Sequence, residues 1–153
     1  EAEISKDAEF SYLYALYVLQ APFPLGEAEI ATDSLHSYRY AVNVLKAPFR
    51  LGEPAIVNST FDSYHYALNV LQAPWPEGEK TIAKDAGYSY IYAKDVLKKP
   101  WPEGEAAIAT TACYSFYYAT EVLEGRFRLG EKLIAKSPTY YKIYKNLFQV
   151  FKY

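Results

Sequence analysis

The chain has 153 residues with one cysteine and no methionine, and it carries almost no excess of either charge. A single cysteine excludes an internal disulfide, so no covalent staple holds the fold, and the redox compartment stays open. The opening Glu1 in place of a methionine reads as a processed or excised piece. Also lacking is any apolar run near the roughly 20 residues of a membrane-spanning helix, and no charged-then-apolar leader opens the chain. Sixteen basic against 18 acidic side chains give a formal net charge of −2. That balance argues against nonspecific nucleic-acid binding as the main role. What is plentiful is apolar surface, at 51% of residues, which excludes disorder by low hydrophobicity. Seventeen tyrosines are the compositional oddity, beside eight phenylalanines and two tryptophans.

The order behind this composition is a strict 26-residue period without insertions. Ile4, Ile30, Ile56, Ile82, Ile108 and Ile134 fall on it, and so do Tyr14, Tyr40, Tyr66, Tyr92, Tyr118 and Tyr144. Gly-Glu recurs from Gly26-Glu27 to Gly130-Glu131, and Val-Leu from Val18-Leu19 to Val122-Leu123. The units run 1–26, 27–52, 53–78, 79–104, 105–130 and 131–153, and make a single repeat domain over 1–153.

Each unit reads as a short and a longer helix. Asp7, Asp33, Ser59, Asp85, Thr111 and Ser137 share one phase and are all residue types whose side chains cap a helix N-terminus. A helix of about 13 residues is expected after each cap, for example Ser34 to Lys46, with Tyr40, Ala41, Val44 and Leu45 at helical spacing. Pro22, Pro48, Pro74 and Pro100 are expected to stop it. The short helix covers Gly-Glu-x-x-Ile, with Pro24, Pro76 and Pro102 placed to start it. Phe23, Phe49, Trp75, Trp101 and Phe127 are placed to plug the joints between helix pairs. Such a pair cannot bury its own apolar face, so neighbours must stack. The predicted fold is an all-α solenoid of six two-helix repeats, with Lys142 and Lys145 forming a charged C-terminal cap.

The combined pattern, Gly-Glu-x-x-Ile-Ala, Tyr-x-Tyr-Ala-x-x-Val-Leu and Pro-Trp-Pro-Glu, resembles a short tandem repeat of tailed-phage and bacterial proteins. The resemblance covers the whole chain. It implies a helical repeat array similar in architecture to tetratricopeptide and Sel1-like solenoids, and it brings no activity or ligand residues with it.

Where the repeats differ, recognition can reside. Three phases of the long helix vary strongly at spacing i, i+3, i+7, one helical stripe. It reads Phe10, Leu13, Tyr17; His36, Arg39, Asn43; Asp62, His65, Asn69; Tyr88, Ile91, Asp95; Tyr114, Tyr117, Glu121; and Tyr140, Ile143, Leu147. The four middle triplets are the candidate binding residues for a protein or peptide partner, because aromatics with Arg, His and Asn combine contact area with directed hydrogen bonds. Arg39, His65, Tyr88, Tyr114 and Tyr117 are expected to be accessible. Tyr40, Tyr66, Tyr92 and the Val-Leu pairs are expected to be mostly buried.

Enzymatic chemistry finds little footing. A metal site from His36, His65 and Asp62 would need a further fixed ligand. Cys113 has no histidine in its own unit and reads as a filler. The recurrent glutamates suit the helix dipole rather than paired-carboxylate catalysis. A non-enzymatic module without cofactor or metal is therefore expected. The alternatives are end-to-end self-assembly, since the chain ends three residues short of a full period, and an anion contact at the basic C-terminal repeat. Residues 126–153 carry seven basic groups and one acidic, net +6, with Lys142, Lys145 and Lys152 interleaved among Tyr140, Tyr141, Tyr144, Phe148 and Phe151.

Overall fold

The structure, a computed structural model, describes residues 1–149. Among them every regular element is helical, and no strand occurs. Short and long helices alternate and pack on their neighbours in sequence order, the arrangement of an all-α solenoid. Contacts gather the chain into two compact units, Glu1–Thr81 and Ile82–Tyr153.

The long helices begin where the capping phase places them. Asp7, Asp33, Ser59, Asp85 and Thr111 accept from the backbone amides of Phe10, His36, Asp62, Tyr88 and Tyr114. Each bond satisfies an amide that the helix itself leaves without a partner, and its loss costs about 0.5–2 kcal/mol. Ser137 holds the same place without a side-chain bond, and Pro138 takes the first turn.

The expected uniform α-helix from Ser34 to Lys46 is corrected in its second half. Ser34–Tyr40 is α-helical, Ala41–Leu45 is π-helical and Lys46 is left-handed. The first, third and fourth repeats repeat this, with π segments at Tyr14–Leu19, Ala67–Leu71 and Tyr92–Leu97. The widened turn lets the amides of Ala21, Ala47, Ala73 and Lys99 reach back to the carbonyls of Ala15, Ala41, Ala67 and Ala93 at 3.2–3.3 Å. The left-handed residue therefore ends the helix, and the proline follows two positions later. In the fifth repeat Arg126 replaces that proline, and Ala112–Glu121 stays α-helical.

Proline does start the short helices. Pro24–Ile30, Pro76–Ile82 and Pro102–Ile108 are full α-helices. Where Arg50 and Arg128 stand in this phase, only Glu53–Ile56 and Glu131–Ile134 are α-helical, and a 3-10 turn (Arg50–Gly52) or plain turn precedes them. The fixed φ of proline is what pre-sets the first turn.

The shared phases form the core. Tyr40, Tyr66, Tyr92 and Tyr118 are 0% exposed, and the periodic isoleucines from Ile30 to Ile134 are likewise buried. Each tyrosine ring meets the joint aromatic that follows it at 5.0–5.1 Å, as in Tyr40–Phe49 and Tyr118–Phe127. In the sixth repeat Phe148 fills that place, 4.8 Å from Tyr144. The Val-Leu pairs are only half-buried and Val18 is exposed, because they lie in the last, widened turn at the rim. A periodic serine completes the packing: Ser11, Ser37, Ser63, Ser89 and Ser115 are fully buried. They donate to the carbonyls of Ile4, Ile30, Ile56, Ile82 and Ile108 at 2.9–3.1 Å. Glycine lies against serine here, and a Cβ on Gly26 would come within 2.7 Å of the Ser11 Cβ.

Candidate binding surface

In the first unit, the long-helix caps at Asp33 and Ser59 and the buried Tyr40 and Tyr66 fix the stripe residues by helical spacing. Arg39, Asn43 and Asn69 are exposed, and His36 and His65 are half-buried. Asp62 departs from the expected surface: it is 4% exposed, and its Oδ2 accepts from Ser34 Oγ at 2.7 Å, tying two adjacent repeats. Asn43 and Asn69 donate through Nδ2 to the hydroxyls of Tyr12 and Tyr38, each at 2.9 Å. The His36 ring lies 5.9 Å from Tyr12, with its Nδ1 2.8 Å from the Asp33 carboxylate. His65 stands among Tyr38, Phe61 and Tyr64. Burial holds its pKa below the usual histidine value, against the opposing pull of Asp62.

The second unit carries an aromatic version of the same plan. The Tyr90 ring lies nearly parallel to those of Tyr114 and Tyr117, at 6.1 and 6.0 Å. Phe116 stacks on Tyr140 at 5.1 Å, and Tyr117 meets Tyr140 edgewise at 6.2 Å. The Tyr90 hydroxyl donates to Glu121 at 2.7 Å, and Lys94 Nζ stands 2.6 Å from the same carboxylate oxygen. Burial, with Glu121 adding to it, pushes Tyr90 up to about 12. Lys94 holds the Glu121 carboxyl below its ordinary range. Tyr88, Ile91, Asp95, Tyr114, Tyr117 and Tyr140 are half-buried, while Glu121, Ile143 and Leu147 are exposed. The Tyr114 hydroxyl sits over Gly87, where a Cβ would come within 2.9 Å of it.

One rule covers these contacts. Tyr12, Tyr38 and Tyr90, in one phase, each pack against the stripe of the following repeat, and their hydroxyls meet its third residue. The stripe is thus half seam and half surface, where the sequence alone promised an open ridge. The signal was present at a spacing of 31 residues, in Tyr12 with Asn43, Tyr38 with Asn69 and Tyr90 with Glu121. Where the aromatic is Phe116, without a hydroxyl, the stripe offers Leu147.

A second set of contacts gives the recurrent glutamates a role that sequence reasoning missed. The amides of Phe23, Phe49, Trp101 and Phe127 donate to the hydroxyls of Tyr40, Tyr66, Tyr118 and Tyr144 at 2.8–3.0 Å. Those hydroxyls donate onward to Glu27, Glu53, Glu105 and Glu131 at 2.8–3.0 Å. A buried hydroxyl used as both acceptor and donor leaves neither the loop amide nor itself unsatisfied.

Other places were weighed. A groove of about 620 Å³ opens in the first unit between Pro54, Val57, Pro76 and the Trp75 edge, rimmed by Arg50, Glu53, Glu77 and Lys80. Pro54 and Val57 shape it where the preceding repeat has Ala28 and Ala31. No stripe residue lines it. His36, His65 and Asp62 do not assemble into a metal cradle, and no group of three or more potential ligands occurs among the described residues. Cys113 is half-buried and hydrogen-bonded to Tyr140, which pushes that hydroxyl up to about 12. In the basic repeat Lys142 and Lys145 are exposed, and Arg126 is held by a two-pronged pair to Glu131 at 2.7 and 2.8 Å. Phe151 and Lys152 lie outside the described residues. No helix among the described residues is long and apolar enough to cross a membrane.

Comparison of the chain with protein-family models, with curated proteins and with solved structures gives no match.

Proposed function

We propose that the chain is a non-enzymatic binding module that holds a protein or peptide partner against the variable stripe of its long helices. The observation that supports this is a division within single helices. Tyr40, Tyr66 and Tyr118 are fully buried, while Arg39, Asn43, Asn69 and Glu121 on the same helices are exposed and Tyr114 and Tyr117 keep part of their surface. Asp62 is left out of the surface by its burial. Each unit offers its own chemistry: the first a cationic and amide face around Arg39, Asn43 and Asn69, the second a tyrosine face. Rings already held by neighbouring repeats lose little freedom on binding, so their contact area converts efficiently into affinity.

The test is capture by the immobilised chain, comparing the natural sequence with an Arg39→Ala/Tyr114→Ala/Tyr117→Ala variant that retains its helical content. Proteins retained by the first and lost from the second, as read by quantitative mass spectrometry, support the reading. Equal retention by both overturns it.

A further inference from the structure

We infer that Trp75, Tyr66 and Glu53 form a one-electron relay, in which an oxidising equivalent taken up at the Trp75 edge comes to rest on Tyr66 as its proton passes to Glu53. The three residues meet within the first unit. The Trp75 and Tyr66 rings are in contact, with centroids 5.0 Å apart. The Tyr66 hydroxyl donates to Glu53 at 2.8 Å. Trp75 and Glu53 both line the groove beside Pro54 and Pro76, where a small oxidant reaches the indole edge.

Packing alone does not ask for tryptophan at this joint. Phe23, Phe49 and Phe127 fill the same position in other repeats, against Tyr14, Tyr40 and Tyr118 at 5.0–5.1 Å. Trp75 and Trp101, the two tryptophans of the chain, are each set against a buried tyrosine of the shared phase, Tyr66 and Tyr92, at 5.0 Å. Indole gives up an electron far more readily than a phenyl ring does. Its radical cation is in turn a strong enough oxidant to take an electron from a hydrogen-bonded phenol.

The proton decides where the charge stops. Burial pushes the Tyr66 hydroxyl far above its ordinary value, so no tyrosinate stands ready to be oxidised. A phenol radical cation that kept its proton would be a buried, unpaired charge. Electron and proton therefore leave together, and a carboxylate already accepting from the hydroxyl is placed to receive the proton. The steps balance. The oxidant takes one electron from Trp75; the indole radical cation, the Tyr66 phenol and the Glu53 carboxylate then become indole, neutral phenoxyl radical and carboxylic acid. The phenoxyl oxygen still accepts from the Phe49 amide, which donates to it at 3.0 Å. Arg50, exposed and 2.8 Å from Glu53, turns to solvent at little cost. Tyr66 is fully buried, so its radical is out of reach of a second chain and does not couple to dityrosine.

Pulse radiolysis tests this on the folded chain carrying Trp101→Phe, so that Trp75 is the one indole, with azide radical as the oxidant that attacks it. Indolyl absorbance should decay with first-order kinetics, independent of protein concentration, while phenoxyl absorbance rises at the same rate. Tyr66→Phe should abolish that coupled rise and leave the indolyl radical to decay by slower routes. Glu53→Gln keeps an acceptor for the hydroxyl but removes the base, and should slow the transfer by about 100-fold or more. It leaves the ring packing intact, so the test does not depend on how well Tyr66→Phe folds. No coupled rise in the parent, or an unchanged one in Tyr66→Phe or Glu53→Gln, would each overturn the relay. No stripe residue lines this groove, so the capture experiment and the radiolysis experiment can fail independently.

Discussion

Lys46 ends its helix with φ at 51°, a conformation in which an L side chain crowds the backbone. Gln20, Gln72, Lys98, Glu124 and Gln149 do the same. Glycine, the usual residue for this place, is absent from all six positions. Lys46→Gly should therefore raise stability by up to about 1 kcal/mol, part of the gain being returned through the freer unfolded chain. Lys46→Val should lower it, since a β-branched side chain tolerates the left-handed region worst. Chemical denaturation of the two variants reads both signs, and a destabilised glycine variant would show that the Lys46 side chain makes a contact worth more than the strain. His65 supplies a pH dependence at the same scale. Its folded pKa lies below the ordinary histidine value, so the unfolded chain takes up the proton first as the solution is acidified. The contribution is present above about 6.5 and is lost as pH falls through the folded value. Stability should drop more steeply between roughly pH 7 and 5 in the natural chain than in His65→Gln. Parallel profiles would contradict the burial argument.

At the level of elements, the linkage between helices runs through tyrosine hydroxyls. Burial first, and the neighbouring glutamates after it, push Tyr40, Tyr66 and Tyr118 far above their ordinary value and Tyr144 up to about 12. Unfolded tyrosine ionises near 10, so these groups favour the fold fully below that pH, and the contribution is lost as pH rises through the folded values. The helical signal should collapse together with a burst of tyrosinate absorbance above about pH 10. Tyrosinate appearing smoothly while the helices persist would contradict the relay. The glycine–serine contact gives a second expectation. Gly52→Ala places a Cβ 2.6 Å from the Ser37 Cβ and against the Phe49 ring, an overpacking that should cost about 1–3 kcal/mol in a denaturation experiment. These elements also mark what could be read from the sequence. The caps at Asp7 through Thr111, the proline starts and the buried tyrosine phase follow from local chemistry and period, and were legible. The π turn at Ala41–Leu45 was not, because its residues have ordinary helical spacing and only the ladder changes. Neither was the Tyr40–Glu27 bond, whose partners lie 13 residues apart and meet only once two helices pack. The stripe was legible as a variable line on one helical face. That half of it is seam was hidden, because packing against the preceding repeat is not a property of one helix.

Within each unit the same division holds: shared positions build the scaffold, and stripe positions lie between the seam and the solvent. Nearest-neighbour packing of this kind makes stability close to a sum over repeats and their junctions, so damage in one repeat should register as a local loss. Adjacent tyrosines in the fifth repeat put the division to the test. Tyr118 is fully buried and relays the Trp101 amide to Glu105. Tyr117 is half-buried and leans on Tyr90, Phe116 and Tyr140. Equilibrium denaturation of Tyr118→Ala and Tyr117→Ala beside the natural chain should show a loss of about 3–5 kcal/mol for the first and about 1–2 kcal/mol for the second. Equal losses would mean that the stripe is core, and that no recognition surface lies there.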